Sequence, residues 1–203
     1  VLSRGLGDVY KRQSLKGANK FCGEYIPLRY KSRKDKHPPI IAICDVSGSM
    51  SRYSRMLLHF MHVLTTLRND VHTFLFGTRL TNVTRFLRFK DVDEALAATS
   101  SAVEDWSGGT RIGDCLKEFN FNWSRRVLGP GAIVLFITDG LDRGGGIGLS
   151  KQIKLIQKSS KRLIWLNPLL RYEEFAPKPT GVKAILPHVD EFRPIHSLES
   201  MDQ

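Results

Sequence analysis

Apolar runs and helical stripes take turns along most of this chain. Residues 40–44, Ile-Ile-Ala-Ile-Cys, form an unbroken apolar run of strand length, the pattern of a strand buried on both faces. From Tyr53 the period changes. Tyr53, Met56, Leu57, Phe60, Met61, Leu64 and Leu67 fall on one side of a helix, at the i, i+3, i+4, i+7 spacing of an element packed along one stripe. Residues 71–76 then predict a strand, Gly77-Thr78 a turn, and residues 80–86 a short strand pairing antiparallel at the sheet edge. Helices are predicted over 91–103 and 112–123, with Gly108-Gly109-Thr110 in the loop between them. The most hydrophobic strand covers 132–138. A helix over 147–160, a strand over 163–166 closed by Pro168, a short helix over 180–186 and a strand over 189–195 follow, ahead of a tail at 197–201.

Strands alternating with helices argue for a doubly wound α/β fold: a mostly parallel sheet with one antiparallel edge strand and helices on both faces. The chain has 203 residues, enough for one well-buried domain and too few for two comfortable ones. Lys31 to Lys36 is dense in charge and runs into Pro38-Pro39, a pair that denies the backbone donors of a helix or central strand. The expected domain is therefore 38–203, preceded by a basic segment over 1–37. Val1 in place of an initiator Met, and the lack of any period through Gln13, mark that segment as partly non-native or truncated, outside fold reasoning.

Charge is uneven. The net charge is +11, and residues 1–36 hold ten Lys/Arg against three Asp/Glu. Such a segment suits nucleic acid, an anionic surface or an acidic partner, and a solvated linker is the commoner reading of a charge run. No apolar run approaches a membrane span and no apolar leader opens the chain, so a cytoplasmic protein is expected. Cys22, Cys44 and Cys115 are too few and scattered for a disulfide framework and include no CxxC pair; they read as small buried hydrophobes.

The chemistry gathers where two apolar runs end. Asp45-Val46-Ser47-Gly48-Ser49 follows the first, and Thr138-Asp139-Gly140 closes the run over 132–137. Open α/β sheets place ligands outside the carboxyl ends of their strands. Carboxylates and hydroxyls without histidine or cysteine form the donor set of a hard divalent cation. Thr110, after its glycine pair, brings a third hydroxyl to a loop that feeds a helix amino terminus. Singly, each group has a plain account as a helix cap, a turn or a flexible loop; together they point to one oxygen-ligand site. Asp142 reads as a polar turn residue, at most behind the ligands. His59 and His62 read as surface histidines.

Asp45-x-Ser47-x-Ser49, Thr110 after the glycine pair, and Thr138-Asp139-Gly140 resemble the metal-ion-dependent adhesion site (MIDAS) of von Willebrand factor A-type (VWA) domains. The longer strings Cys44 to Met50, Gly108 to Gly113 and Thr138 to Gly144 resemble the CoxE-like bacterial branch. The resemblance implies that Ser47, Ser49 and Thr110 bind Mg2+ or Mn2+, with Asp45 and Asp139 contributing directly or through water and one position left for a partner's Asp or Glu carboxylate. It also implies a MoxR-type AAA+ ATPase partner and a metalloenzyme client, such as a molybdenum-containing carbon monoxide dehydrogenase under maturation. The expected function is thus a non-enzymatic, metal-dependent protein-binding module. Two alternatives stand beside it. A magnesium-dependent phosphoryl-transfer enzyme would use a strand-end aspartate as nucleophile, although position 47 is serine where haloacid-dehalogenase-like phosphatases carry a second acid. Nucleic-acid binding through the basic segment would rest on Tyr10, Phe21, Tyr25, Tyr30 and a steep salt dependence.

Overall fold

A computed structural model describes residues 37–103, 106, 109–144, 146, 148–168 and 180–195. The basic segment over 1–36, Gly108, Ile147 as a helix start, and the tail at 197–201 lie outside the described residues. Six strands run β1 (Ile40–Asp45), β2 (Val71–Phe76), β3 (Leu80–Asn82), β4 (Ile133–Ile137), β5 (Arg162–Asn167) and β6 (Glu191–Pro194). The helices are α1 (Ser51–Leu67), α2 (Val92–Ala102), α3 (Ile112–Asn122), the single turn α4 (Ser124–Val127), α5 (Leu149–Ser159) and α6 (Thr180–Ile185). The strands form one sheet in the order β3-β2-β1-β4-β5-β6. All pairings are parallel except β2 with β3 at the edge.

The alternation of side chains along each strand builds two cores. On one face Ile41, Ile43, Phe74, Phe76, Phe136 and Trp165 pack against Ile112, Leu116 and Phe119 of α3, Ile153 and Ile156 of α5, and Val182 of α6. On the other, Ala42, Cys44, Leu75 and Ile137 meet Met50 and the α1 residues Tyr53, Leu57, Leu58 and Met61. All six β1 residues are buried, as a central parallel strand covered on both sides requires. The doubly wound arrangement expected from the pattern is the one observed.

Three details differ. The third strand ends at Asn82 instead of continuing to residue 86: Thr84 turns its hydroxyl to the Thr73 amide, 3.0 Å away, and the chain then winds into a tight turn over Phe86–Arg88. The fifth helix starts at Leu149 because Gly148, at φ +73°, sits in the left-handed region just before it. His62 is not a surface histidine. The Phe86–Arg88 turn covers that side of α1, and the buried imidazole Nδ1 lies 3.1 Å from the Leu87 carbonyl oxygen.

The order of the strands decides where a ligand can sit. β1 and β4 are neighbours, and the chain leaves β1 toward β2 on one side but leaves β4 toward β5 on the other, which opens a crevice between the β1 and β4 carboxyl ends. In register Cys44 faces Ile137, which brings Asp45 and Thr138 next along the same edge. Gly140 completes that edge at φ +79°. A Cβ there would lie 2.9 Å from Val182 Cγ2 and 3.1 Å from Trp165 Cζ2. Gly140→Ala therefore combines backbone strain with overpacking, and a loss of about 2 kcal/mol is expected. A lowered urea midpoint at unchanged slope checks this, and an unaltered midpoint contradicts it.

Candidate metal centre

The centre is built from three turns at the sheet's carboxyl edge. After β1 the chain passes Asp45 and Val46, and Ser47 opens a tight turn over Gly48–Met50 that leads into α1. Asp45 Oδ1 accepts the Ser47 amide at 2.8 Å, an aspartate turn that folds Ser47 back over the strand end. Ser47, extended just ahead of the turn, and Ser49 within it then present hydroxyl oxygens 3.2 Å apart.

Thr138 supplies the second tie. Its hydroxyl donates to Asp45 Oδ2 at 2.8 Å and accepts the Gly140 amide at 3.1 Å, while its carbonyl accepts the Trp165 indole N–H at 2.9 Å. Asp139 follows. One of its oxygens, Oδ1, accepts the Leu141 amide at 2.9 Å. The other, Oδ2, is buried and accepts no hydrogen bond from any described residue.

Thr110 arrives from the opposite wall, on the loop ahead of α3. Its carbonyl accepts the Arg143 amide at 3.0 Å, and the next amide, of Arg111, donates to the Gly77 carbonyl at 3.0 Å. Asp142 fixes the same junction: Oδ1 accepts the Ile112 amide at the start of α3 and Oδ2 the Gly146 amide, each at 3.0 Å. Its oxygens are engaged by backbone donors, so Asp142, at the cavity wall, braces the loops.

Ser47, Ser49 and Thr110 line one cavity of about 390 Å³, together with Gly109, Leu141 and Arg143. Asp45 stands directly behind Ser47. Asp139 is close enough to Asp45 for the two carboxylates to repel. The structure thus brings all five residues singled out in the sequence to one end of the sheet. Two features have no counterpart among the sequence expectations: the Thr138 hydroxyl that links the two acids' strands, and the bracing by Asp142. Spacing alone gave no signal of either.

Electrostatics distinguish Asp45 from an ordinary carboxyl. Burial pushes it from 3.8 up to about 6, the hydrogen bonds from Ser47 and Thr138 counter that, and repulsion from Asp139 adds to it. Two buried acids side by side, one with an oxygen that lacks a donor among the described residues, are unfavourable without a compensating positive charge. Three hydroxyls beside them complete an oxygen donor set that fits a hard divalent cation. Among the described residues no group of three or more His, Cys, Asp or Glu gathers, so none of them forms a ligand cluster of zinc type. Cys44 and Cys115, both buried, are pushed up to about 12 by burial first and neighbouring acids second, which makes them inert thiols.

A parallel α/β sheet with acids and hydroxyls at its topological switch point defines the class, and sequence comparison gives the family. A family model described as VWA domain containing CoxE-like protein matches residues 6–201, and the chain belongs to that family. Among curated proteins, none matches the chain. Solved structures with a similar fold include proximal thread matrix protein 1 from the mussel byssus, at 18% identity and TM-score 0.52, covering 82% of this chain and 45% of that one. The pilus adhesin SpaC from Lactobacillus rhamnosus GG, in its open conformation, is similar at 12% identity and TM-score 0.56, covering 86% and 30%. This chain spans less than half the length of either, and at such identities the likeness is one of fold.

The raised Asp45 carboxyl has a signed consequence for the metal-free protein. A folded-state value above the unfolded one makes its contribution to stability complete below 3.8 and lost as pH rises through about 6. Asp45→Asn removes that titration. In chelator, the variant should gain on the natural protein by about 2 kcal/mol between pH 4 and pH 7, measured by denaturant unfolding. A stability difference that does not change with pH contradicts the assignment.

Proposed function

We propose that residues 38–203 form a non-enzymatic, cation-dependent protein-binding module. Mg2+ or Mn2+ would be held by the hydroxyls of Ser47, Ser49 and Thr110, with Asp45 and Asp139 contributing directly or through water. The observation that carries this reading is the buried Oδ2 of Asp139, without a donor among the described residues, beside the buried Asp45 and next to three hydroxyls on one cavity. When bound, the cation supplies a positive centre able to accept an oxygen from outside the chain. The chain's own groups hold and orient: Ser47 and Ser49 are fixed by the turn after β1, Thr110 by the loop braced at Asp142, and Asp45 by two hydrogen bonds. The cavity admits an external ligand, and an Asp or Glu side chain of another protein has the matching charge.

A nucleophilic role for Asp45 has less support. Both of its carboxylate oxygens are engaged, one by the Ser47 amide and one by the Thr138 hydroxyl, and residue 47 is a serine. Such an aspartate is arranged to brace a site.

Family membership supports a finer reading. The CoxE-like description fits work with a MoxR-type AAA+ ATPase on a metalloenzyme client, such as molybdenum carbon monoxide dehydrogenase during maturation, in the cytoplasm. No helix among the described residues is long and apolar enough to cross a membrane.

Two measurements test the proposal. Asp45→Ala and Ser47→Ala should each abolish Mg2+ and Mn2+ binding in titration calorimetry while circular dichroism shows the fold retained, since these groups sit at the rim of the sheet; undiminished affinity in both would mean the wrong residues were chosen. Partner capture from the native host should require divalent cation and be lost with chelator or with Asp45→Ala. Capture indifferent to both would sink the metal-bridged mode.

A further inference from the structure

We propose that Arg143 is a second anchor for the partner's carboxylate, its guanidinium taking the acid's charge beside the cation and setting the site's preference for an acidic side chain. This rests on the reading of the cavity as a cation site. Arg143 lines the same cavity as Ser47, Ser49 and Thr110, and its place there is built by its neighbours.

The guanidinium packs against the loop that carries Thr110. A Cβ on Gly109 would stand 2.8 Å from Arg143 Nη1 and 3.0 Å from Cζ, so a side chain at 109 would push the guanidinium away from this wall. Its backbone is fixed as well. The Arg143 amide donates to the Thr110 carbonyl at 3.0 Å, and the preceding Asp142 is clamped by the amides of Ile112 and Gly146. The root of the side chain is therefore held at the rim, and the loop that delivers the threonine hydroxyl also delivers the arginine.

Among the described residues Arg143 forms no ion pair with an acid. The ion pairs among the described residues join Arg162 and Arg193 to Glu191. Asp142, next to Arg143 in sequence, has both oxygens on backbone amides.

Charge arithmetic gives the arginine its use. A divalent ion beside the carboxylates of Asp45 and Asp139 is formally neutral, and Asp142, which also lines the cavity, leaves the mouth with one negative charge that repels an incoming anion. Arg143 cancels that charge, so an approaching carboxylate meets a guanidinium in place of net repulsion. A planar guanidinium also matches a carboxylate in shape and donor geometry. The ligand class is thus a monoanionic carboxylate side chain, Asp or Glu, on an accessible segment of a partner protein.

The test uses the full chain saturated with Mg2+ and titrated with the blocked tripeptide acetyl-Gly-Asp-Gly-amide, followed by NMR shifts, with magnesium affinity measured separately by calorimetry. Arg143→Gln should weaken peptide binding about tenfold while its magnesium affinity does not fall, because removing a nearby positive charge cannot disfavour a cation. Arg111→Gln removes the same charge from an exposed residue one position past Thr110 that is not among the cavity's lining, and should change peptide affinity by less than about twofold at physiological salt. If the magnesium-loaded natural protein fails to bind the peptide, if Arg143→Gln binds it equally well, or if Arg111→Gln weakens it as much, the anchor is overturned with the cation site intact. Failure of the natural protein to bind magnesium at all would instead bring down the cation site and the anchor with it.

Discussion

A single 2.8 Å hydrogen bond, from the hydroxyl of Thr138 to Oδ2 of Asp45, joins residues 93 positions apart and sets the geometry of everything around it. It exists because β1 and β4 are adjacent and parallel, with Cys44 opposite Ile137; the next residue on each strand is then forced into contact. Sliding the register by one would exchange every side chain between the two cores and carry Asp45 away from Thr138. The large apolar side chains on both faces, Phe74, Phe136 and Trp165 on one and Met50 and Met61 on the other, are all fully buried. The same packing that stabilises the domain therefore positions the polar edge to within a hydrogen-bond length.

That edge is costly in isolation. Asp45 and Asp139 are both buried, they repel each other, and one oxygen of Asp139 has no donor among the described residues. Local donors meet part of the need: the amides of Ser47 and Leu141 and the Thr138 hydroxyl. What they leave is an excess of buried negative charge beside three neutral hydroxyls. Local conflicts of this kind concentrate at functional sites, where the ligand resolves them.

Long periodic segments were legible in the sequence, and so was the chemistry at their ends. The stripe from Tyr53 to Leu67 gave α1, and the uninterrupted apolar runs gave β1 and β4 as buried parallel strands, because period and burial on both faces leave direct traces in residue order. The candidate ligands were legible for a related reason. Parallel α/β topology puts strand ends at one edge, so acids and hydroxyls just past two apolar runs were bound to meet if those strands were neighbours. Tertiary cover was not legible. His62 lies off the apolar stripe of α1 and read as exposed, yet a turn 25 residues later closes over it. Nor did Asp142 show its bracing, since a polar residue in a glycine-rich loop looks the same whether it is solvated or clamped by the amides of Ile112 and Gly146. The strand at β3 ended early for a similarly local reason, the bond between Thr84 and the Thr73 amide.

Whether the buried acids and the three hydroxyls share one divalent cation is read most directly from an anomalous difference map of crystals grown with Mn2+. A single strong peak is expected, enclosed by the oxygens of Ser47, Ser49 and Thr110, with Asp45 and Asp139 in contact with it or one water away. A map with no peak there, or with manganese only at surface carboxylates elsewhere, would contradict it.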